Sequence, residues 1–242
     1  LVKLEVDVIV TGGTPATRAA KDATAAIPIV MGTATNPVGS GFVASLTRPG
    51  ANITGLSTAA EDVSPKSLEF LVATVPGADR IAVLSNPSNR SNTGVSRSLQ
   101  AMAQDLGVRL LPVYARTPDD IQGAFAVMAR EGAQALIVLP DSLLIEEGGP
   151  IAELAAETRL PAIYPFREHV DAGGLMSYGQ NLADNYRRAA TFVDKILRGA
   201  RPADLPVEQS IKFELVINLR AARALGITIP ESVLMRADKV IE

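Results

Sequence analysis

The chain has no cysteine and no tryptophan, and its 242 residues include one histidine. Without cysteine there is no disulfide, no thiol nucleophile and no cysteine-ligated metal. The lone His169 leaves little for imidazole-based metal or general-base chemistry, and its neighbours Arg167 and Glu168 mark it as a surface residue. Aromatic residues make up 4%, too few for a surface on which single-stranded nucleic acid stacks. The formal net charge of −3 lacks the basic excess of a nucleic-acid interface. No apolar run approaches the roughly 18 residues of a membrane-spanning helix.

What is present is ordinary for a globular protein: 47% hydrophobic and 20% charged residues. The length admits one large domain or two of about 120 residues, each able to bury a core. The chain starts at Leu1 and runs at once into a buried-type strand, VDVIVTGG, with no charged-then-apolar leader pattern. A processed or truncated N-terminus is therefore expected.

Short runs rich in Val, Ile and Leu alternate with longer helical patterns. Asp7–Val10 reads as a strand ending in Thr-Gly-Gly-Thr-Pro, followed by an alanine-rich helix over Ala16–Ala25. Ile27–Met31, Ile81–Leu84, Val108–Tyr114, Ala135–Leu139, Ala162–Tyr164 and Leu175–Tyr178 read as further strands. Val95, Leu99, Met102 and Leu106 share one helix face, with Gly107 placed to cap it. Pro118–Arg130, Ile151–Glu157 and Leu182–Leu197 read as helices, the first carrying Asp119 and Asp120 in its opening turn. Apolar strands buried on both faces and separated by helices predict an α/β fold with parallel sheets. Breaks at 52–66 and at GARPADLP (199–206) suggest two lobes. The first lobe has few strands of its own, so N-terminal βα units are expected to be missing.

Ligands bind open parallel sheets beyond the carboxyl ends of the strands. Small polar residues gather there: Gly12, Gly13 and Thr14; Thr35 and Asn36; Asp141 and Ser142; Tyr164; Ser177 and Tyr178. The densest group closes VLSNPSNRSN at 83–92, with Asn86, Ser88, Asn89, Arg90, Ser91 and Asn92. Each group has a local reading as a turn, a cap or a core residue; their shared edge favours a site. TGGTPA is not a dinucleotide fingerprint, and neither a phosphate loop nor a nucleophile elbow occurs. No cofactor and no metal is expected.

Residues 1–57, from LVKLEVDVIVTGG to ANITGLS, and the run from MSYGQNLADNY to ALGITIP resemble the tryptophan/tyrosine-type substrate-binding proteins of ABC transporters. VLSNPSN and VLPDSLL fall where that family has similar strand ends. The resemblance implies a type I periplasmic-binding-protein architecture, with two Rossmann-like lobes closing on a ligand. Its three crossovers would fall near 56–60, 178–182 and 199–206. The first lobe would comprise 1–57 plus 180–200, and the second 58–179 plus 201–242. It further implies a non-enzymatic, extracytoplasmic or periplasmic protein that delivers an amino acid, aromatic in relatives, to a membrane permease. Ser88, Asn89, Arg90 and Ser91 would then surround a carboxylate, and Asp141 would pair with an α-ammonium. Thr14, Asn36, Tyr164, Ser177 and Tyr178 would line the remainder, with Gly13 and Asn86 on the same edge. Arg90 could instead engage a second acidic group, and the scarcity of aromatics leaves a smaller or more polar ligand open. Two other classes share the pattern: the ligand-sensing domain of a transcriptional regulator, and an α/β enzyme.

Overall fold

A computed structural model describes residues 1–209 and 212–242. The chain divides into two compact units: the first holds residues 1–59, 89–91 and 180–212, the second 60–88, 92–179 and 213–242. In chain order, the first unit opens with β1 (Ile9–Thr11), α1 (Gly13–Ala23), β2 (Ile29–Thr35) and β3 (Ile53–Thr58). The second unit follows with α2 (Ala60–Thr74), β4 (Arg80–Ser85), α3 (Asn92–Leu106), β5 (Arg109–Tyr114) and α4 (Pro118–Arg130). It continues through β6 (Ala135–Val138), α5 (Ser142–Glu146), α6 (Gly148–Glu157), β7 (Ala162–Tyr164), α7 (Arg167–Asp171) and β8 (Met176–Gly179). The first unit then gains α8 (Leu182–Leu197) and β9 (Glu208–Gln209). The chain ends in the second unit with β10 (Glu214–Asn218), α9 (Leu219–Leu225), α10 (Glu231–Leu234) and β11 (Lys239–Ile241).

The sheet of the first unit has the order β1-β2-β3-β9, all parallel. Because side chains alternate across a strand, Ile29, Met31 and Ile53 face one apolar layer with Phe42, while Val30 and Leu56 face Phe192 and Ile196 of α8. Gly55 has φ 123°, and the space a Cβ would need there is filled by the Met31 backbone, so only glycine lets β2 and β3 approach. Residues 201–209 belong here and not to the second lobe, contrary to the sequence expectation. GARPADLP is not a crossover: Pro202–Asp204 forms a 3-10 turn, Thr54 Oγ1 donates to Leu205 O at 2.6 Å, and Val207 is buried in the layer beside Phe42. The chain's last passage from the first unit to the second accordingly falls after Lys212.

The seven-stranded sheet of the second unit has the order β11-β10-β8-β7-β6-β4-β5. It is parallel except where β10 runs against β8, a reversal the sequence did not signal. One face presents Ile81, Val83, Ile137 and Ile163 to α2 and α3 through Leu68, Leu71, Val95 and Leu99. The other presents Leu84, Leu136, Val138 and Tyr164 to α4 and α6 through Phe125, Met128 and Ile151. Each fully buried Leu or Ile contributes about 1.5–3 kcal/mol, so these layers set the position of every strand end. The edge strand β5 carries Pro112 in register with Val83.

Local chemistry explains the helix limits. Asp120 Oδ2 accepts from the Arg116 and Thr117 amides at 2.8 and 3.1 Å, closing the start of α4, and those bonds hold its carboxyl below the usual range. Gly107, at φ 69°, ends α3 as its sequence position foretold. The Ser64-Pro65 pair, read as a break, lies inside α2. The helix runs through it because Leu68, Phe70 and Leu71 are buried.

Candidate functional site

In the second unit, β4 and β6 are neighbours, so the segments following them emerge side by side. Asn86 Nδ2 donates to Asp141 Oδ1 at 3.2 Å, and the same oxygen accepts the Leu143 amide at 3.0 Å. Asp141 is therefore the N-cap of α5 and is 4% exposed. The other end of Asn86 is also engaged, its Oδ1 accepting the Ser88 amide at 2.9 Å. Asn86 is a brace between two strand ends, while Ser88 is exposed.

Tyr164 and Ser177 are register partners on β7 and β8, so their side chains share a face. Both are 1% exposed, and neither hydroxyl has a hydrogen-bond partner. Tyr164 stacks on His169 with ring centroids 4.9 Å apart, and burial raises its phenol above the ordinary range. Tyr178 points to the opposite face, edge-on to Phe70 at 5.1 Å; burial, as the leading cause, raises its phenol too. The two tyrosines grouped by sequence are thus separated by the sheet, and Tyr164 offers a ligand no surface.

His169 is likewise buried and not a surface residue, at 1% exposure. The short α7 turns it inward, with Nδ1 3.2 Å from Phe166 O and Nε2 3.1 Å from Leu144 O. Burial lowers its pKa below the ordinary value. The Leu144 contact ties α7 to α5, the helix that Asp141 caps.

In the first unit, Gly13 opens α1 at φ 84°, and its amide donates to Thr33 Oγ1 at 3.0 Å. Thr14 Oγ1 accepts the Thr35 amide at 3.0 Å, joining the start of α1 to the end of β2. Asn36 is exposed in the left-handed region at φ 45°, and its Oδ1 accepts the Gly39 amide at 2.8 Å. Residues 89–91 group with this unit. Asn89 Oδ1 accepts the Ser91 amide at 3.3 Å and the Ser91 hydroxyl at 2.6 Å, and Arg90 is exposed.

Three residues at these edges were not singled out as ligand contacts from sequence. Tyr186, at the start of α8, lies against Gly12 and Gly32, its hydroxyl 2.6 Å from where a Gly12 Cβ would stand. The paired small residues opposite a helical tyrosine were its only signal. Glu61, in the first turn of α2, fills the space over Gly94 in the first turn of α3. Asn92, the first residue of α3, is 5% exposed, and both polar atoms of its side chain lack a hydrogen-bond partner. Among the described residues no group of three or more His, Asp or Glu is placed to hold a metal ion, and no helix is long and apolar enough to cross a membrane.

Residues 1–241 match the sequence model of a family described as ABC transporter substrate binding protein. A curated relative from Clostridioides difficile (strain R20291), named tyrosine-binding protein, is 28% identical over 219 residues, or 90% of this chain. The chain spans 63% of that relative's length. The solved structure of an ABC domain in complex with L-Trp from Streptococcus pneumonia is 29% identical with a TM-score of 0.89, the match covering 100% of this chain and 81% of that one. A conserved domain protein from Vibrio cholerae is 32% identical with the same TM-score of 0.89, over 99% of this chain and 80% of its own. A LacI family transcriptional regulator from Bifidobacterium animalis, 15% identical with a TM-score of 0.60 over 88% of this chain and 77% of its own, shares the fold alone.

Proposed function

The chain belongs to the ABC transporter substrate-binding protein family, and from that premise we propose that it captures an aromatic L-amino acid for an ABC importer. It works outside the cytoplasm and hands its ligand to a membrane permease. The observation that carries the ligand class is that relatives at 28% and 29% identity are named for tyrosine and solved with L-Trp. The family is one of binding proteins, so no bond-making step is assigned.

The proposed mechanism starts from the strand ends that carry Asn86 and Asp141. Asp141, fixed by its own cap bond and by Asn86, receives the α-ammonium in a charge-assisted hydrogen bond. Ser88, Asn89 and Ser91 supply amides and hydroxyls for the carboxylate, with Arg90 beside them. Gly13, Thr14, Asn36 and Tyr178 border the remainder. A ligand shifts a conformational equilibrium only by as much as it binds one conformation better than the other.

Isothermal calorimetry with the twenty L-amino acids tests this reading. Tyrosine or tryptophan is expected to bind most tightly. The informative variant is Asp141→Asn, which keeps an oxygen for the Leu143 amide while removing the charge. It is expected to weaken binding about tenfold or more, with the ligand-free melting temperature within a few degrees of the parent. Unchanged affinity, or no amino acid bound, rejects the assignment.

A further inference from the structure

Elements α6 and α9 of the second unit frame a groove of about 510 Å³ that is separate from the site above. Leu160 and Leu175, which line it, precede β7 and β8, whereas Asn86 and Asp141 follow β4 and β6. These four strands are parallel, so the groove opens at the opposite end of the sheet. Small residues keep it open. Ala152, Ala155 and Ala156 on α6, and Ala221, Ala224 and Leu225 on α9, recur at i, i+3 and i+4, one face of each helix. Alanine leaves empty the space that a leucine would fill, and the volume lies in the range of small-molecule sites.

Two donors interrupt the apolar lining. Asn218 is 7% exposed and caps α9, its Oδ1 accepting the Arg220 and Ala221 amides at 3.0 and 3.1 Å. Its Nδ2 has no partner among the described residues, yet it is not sealed from solvent as the Tyr164 and Ser177 hydroxyls are. A largely buried donor of this kind is completed by an acceptor that enters the groove. Arg220 follows two residues later and is exposed; its Nε donates to the Glu242 main-chain oxygen, and neither Nη has a partner among the described residues. Asp171, the acid in the lining, is held by Arg167 at 3.0 Å. An apolar trough thus carries a pair of donors, one of them a cation, while its acid is already paired.

We propose that this groove is a second binding site, for an aliphatic carboxylate, with the chain along the alanine walls and the carboxylate on Asn218 Nδ2 and the Arg220 guanidinium. The planar fork of arginine suits both carboxylate oxygens, and Val170, Leu225 and Ile241 add aliphatic surface for the chain. The assignment does not depend on the amino-acid reading.

Calorimetry on the full chain with hexanoate, octanoate and decanoate tests it, with 1-decanol as the uncharged control and L-tryptophan as the probe of the other site. Saturable binding of one decanoate per chain is expected, tightening about two- to fourfold with each added methylene. Decanol is expected to bind about tenfold or more weakly than decanoate. Asn218→Asp keeps the cap oxygen but puts a like charge where the donor stood, and Arg220→Gln removes the cation. Each is expected to weaken decanoate binding about tenfold or more, and Ala224→Phe, which fills the exposed part of the groove, to block it. Melting temperatures without ligand are expected within a few degrees of the parent's, since Arg220 and Ala224 are exposed and aspartate caps helices as asparagine does. Any L-tryptophan affinity is expected to stay within about twofold of the parent's. The proposal is overturned by a lack of saturable decanoate binding, by equal binding of decanol, or by unchanged decanoate affinity in any of the three variants. It is also overturned if the parent self-associates and Ala224→Phe disperses it, because a second copy would then fill the groove. If decanoate binds as described and L-tryptophan does not, the amino-acid reading falls and this one stands.

Discussion

Tyr164 and Ser177 stand side by side with unpaired hydroxyls on one face of the second sheet. An orphaned buried hydroxyl costs about 1–3 kcal/mol relative to a satisfied one, and an apolar replacement of the same shape removes that cost. Tyr164→Phe is therefore expected to leave thermal stability unchanged or to raise it, with ligand affinity unaltered. A loss of several degrees would show that the phenol is bonded through water, and a loss of affinity would return it to the ligand site. Sequence alone placed Tyr164 at a strand end, which is correct for its backbone. The face its ring takes depends on how β7 packs beneath α6, and that is set by long-range contacts. Asn86 and Asp141 were legible because strand ends and N-caps are local signals. Asn92 was legible as polar, but whether a side chain is satisfied is a property of three-dimensional neighbours.

At the scale of elements, α7 shows how charge around a residue misleads. Arg167 pairs with Asp171 at 3.0 Å on the outer side of this helix, while His169 turns inward between Phe166, Leu144 and the Tyr164 ring. A neutral imidazole carries one N–H, so it donates to one of the two carbonyls. Protonation would satisfy both, yet burial dominates and depresses the pKa. Between that lowered value and the unfolded value of about 6.5, the unfolded chain binds more protons than the native one. Stability should then fall as pH drops below about 6.5. Because His169 is the one histidine, its ring resonances report this directly by NMR. Titration at or above the ordinary value would refute the account, as would an unchanged pH dependence in His169→Gln.

At the scale of the whole molecule, the alternation of strands and helices was readable because two-sided burial leaves continuous apolar runs. The helices at Pro118–Arg130 and Leu182–Leu197 lie where periodicity puts them. What the sequence hid were short or locally atypical pieces: β9, whose pairing with β3 is a long-range event, the proline-containing start of α2, and the reversed β10. The two apolar layers of the first unit contain far fewer buried residues than those of the second. Local opening follows the density of such contacts. Amide hydrogen exchange without ligand is therefore expected to be faster in β2 and β3 than in β4 and β6. Equal protection in the two sheets would contradict this.

Pro112 has a consequence for the molecule among its own copies. An outermost strand is a template onto which another chain can add, and long, flat, apolar edges invite fibres. Strand β5 has Leu110, Leu111 and Tyr114 in it, the composition such templates share, but it also holds a residue with no amide hydrogen to offer. A second copy laid along it would lose a rung near the middle of the ladder, so this border resists self-association despite its greasy side chains.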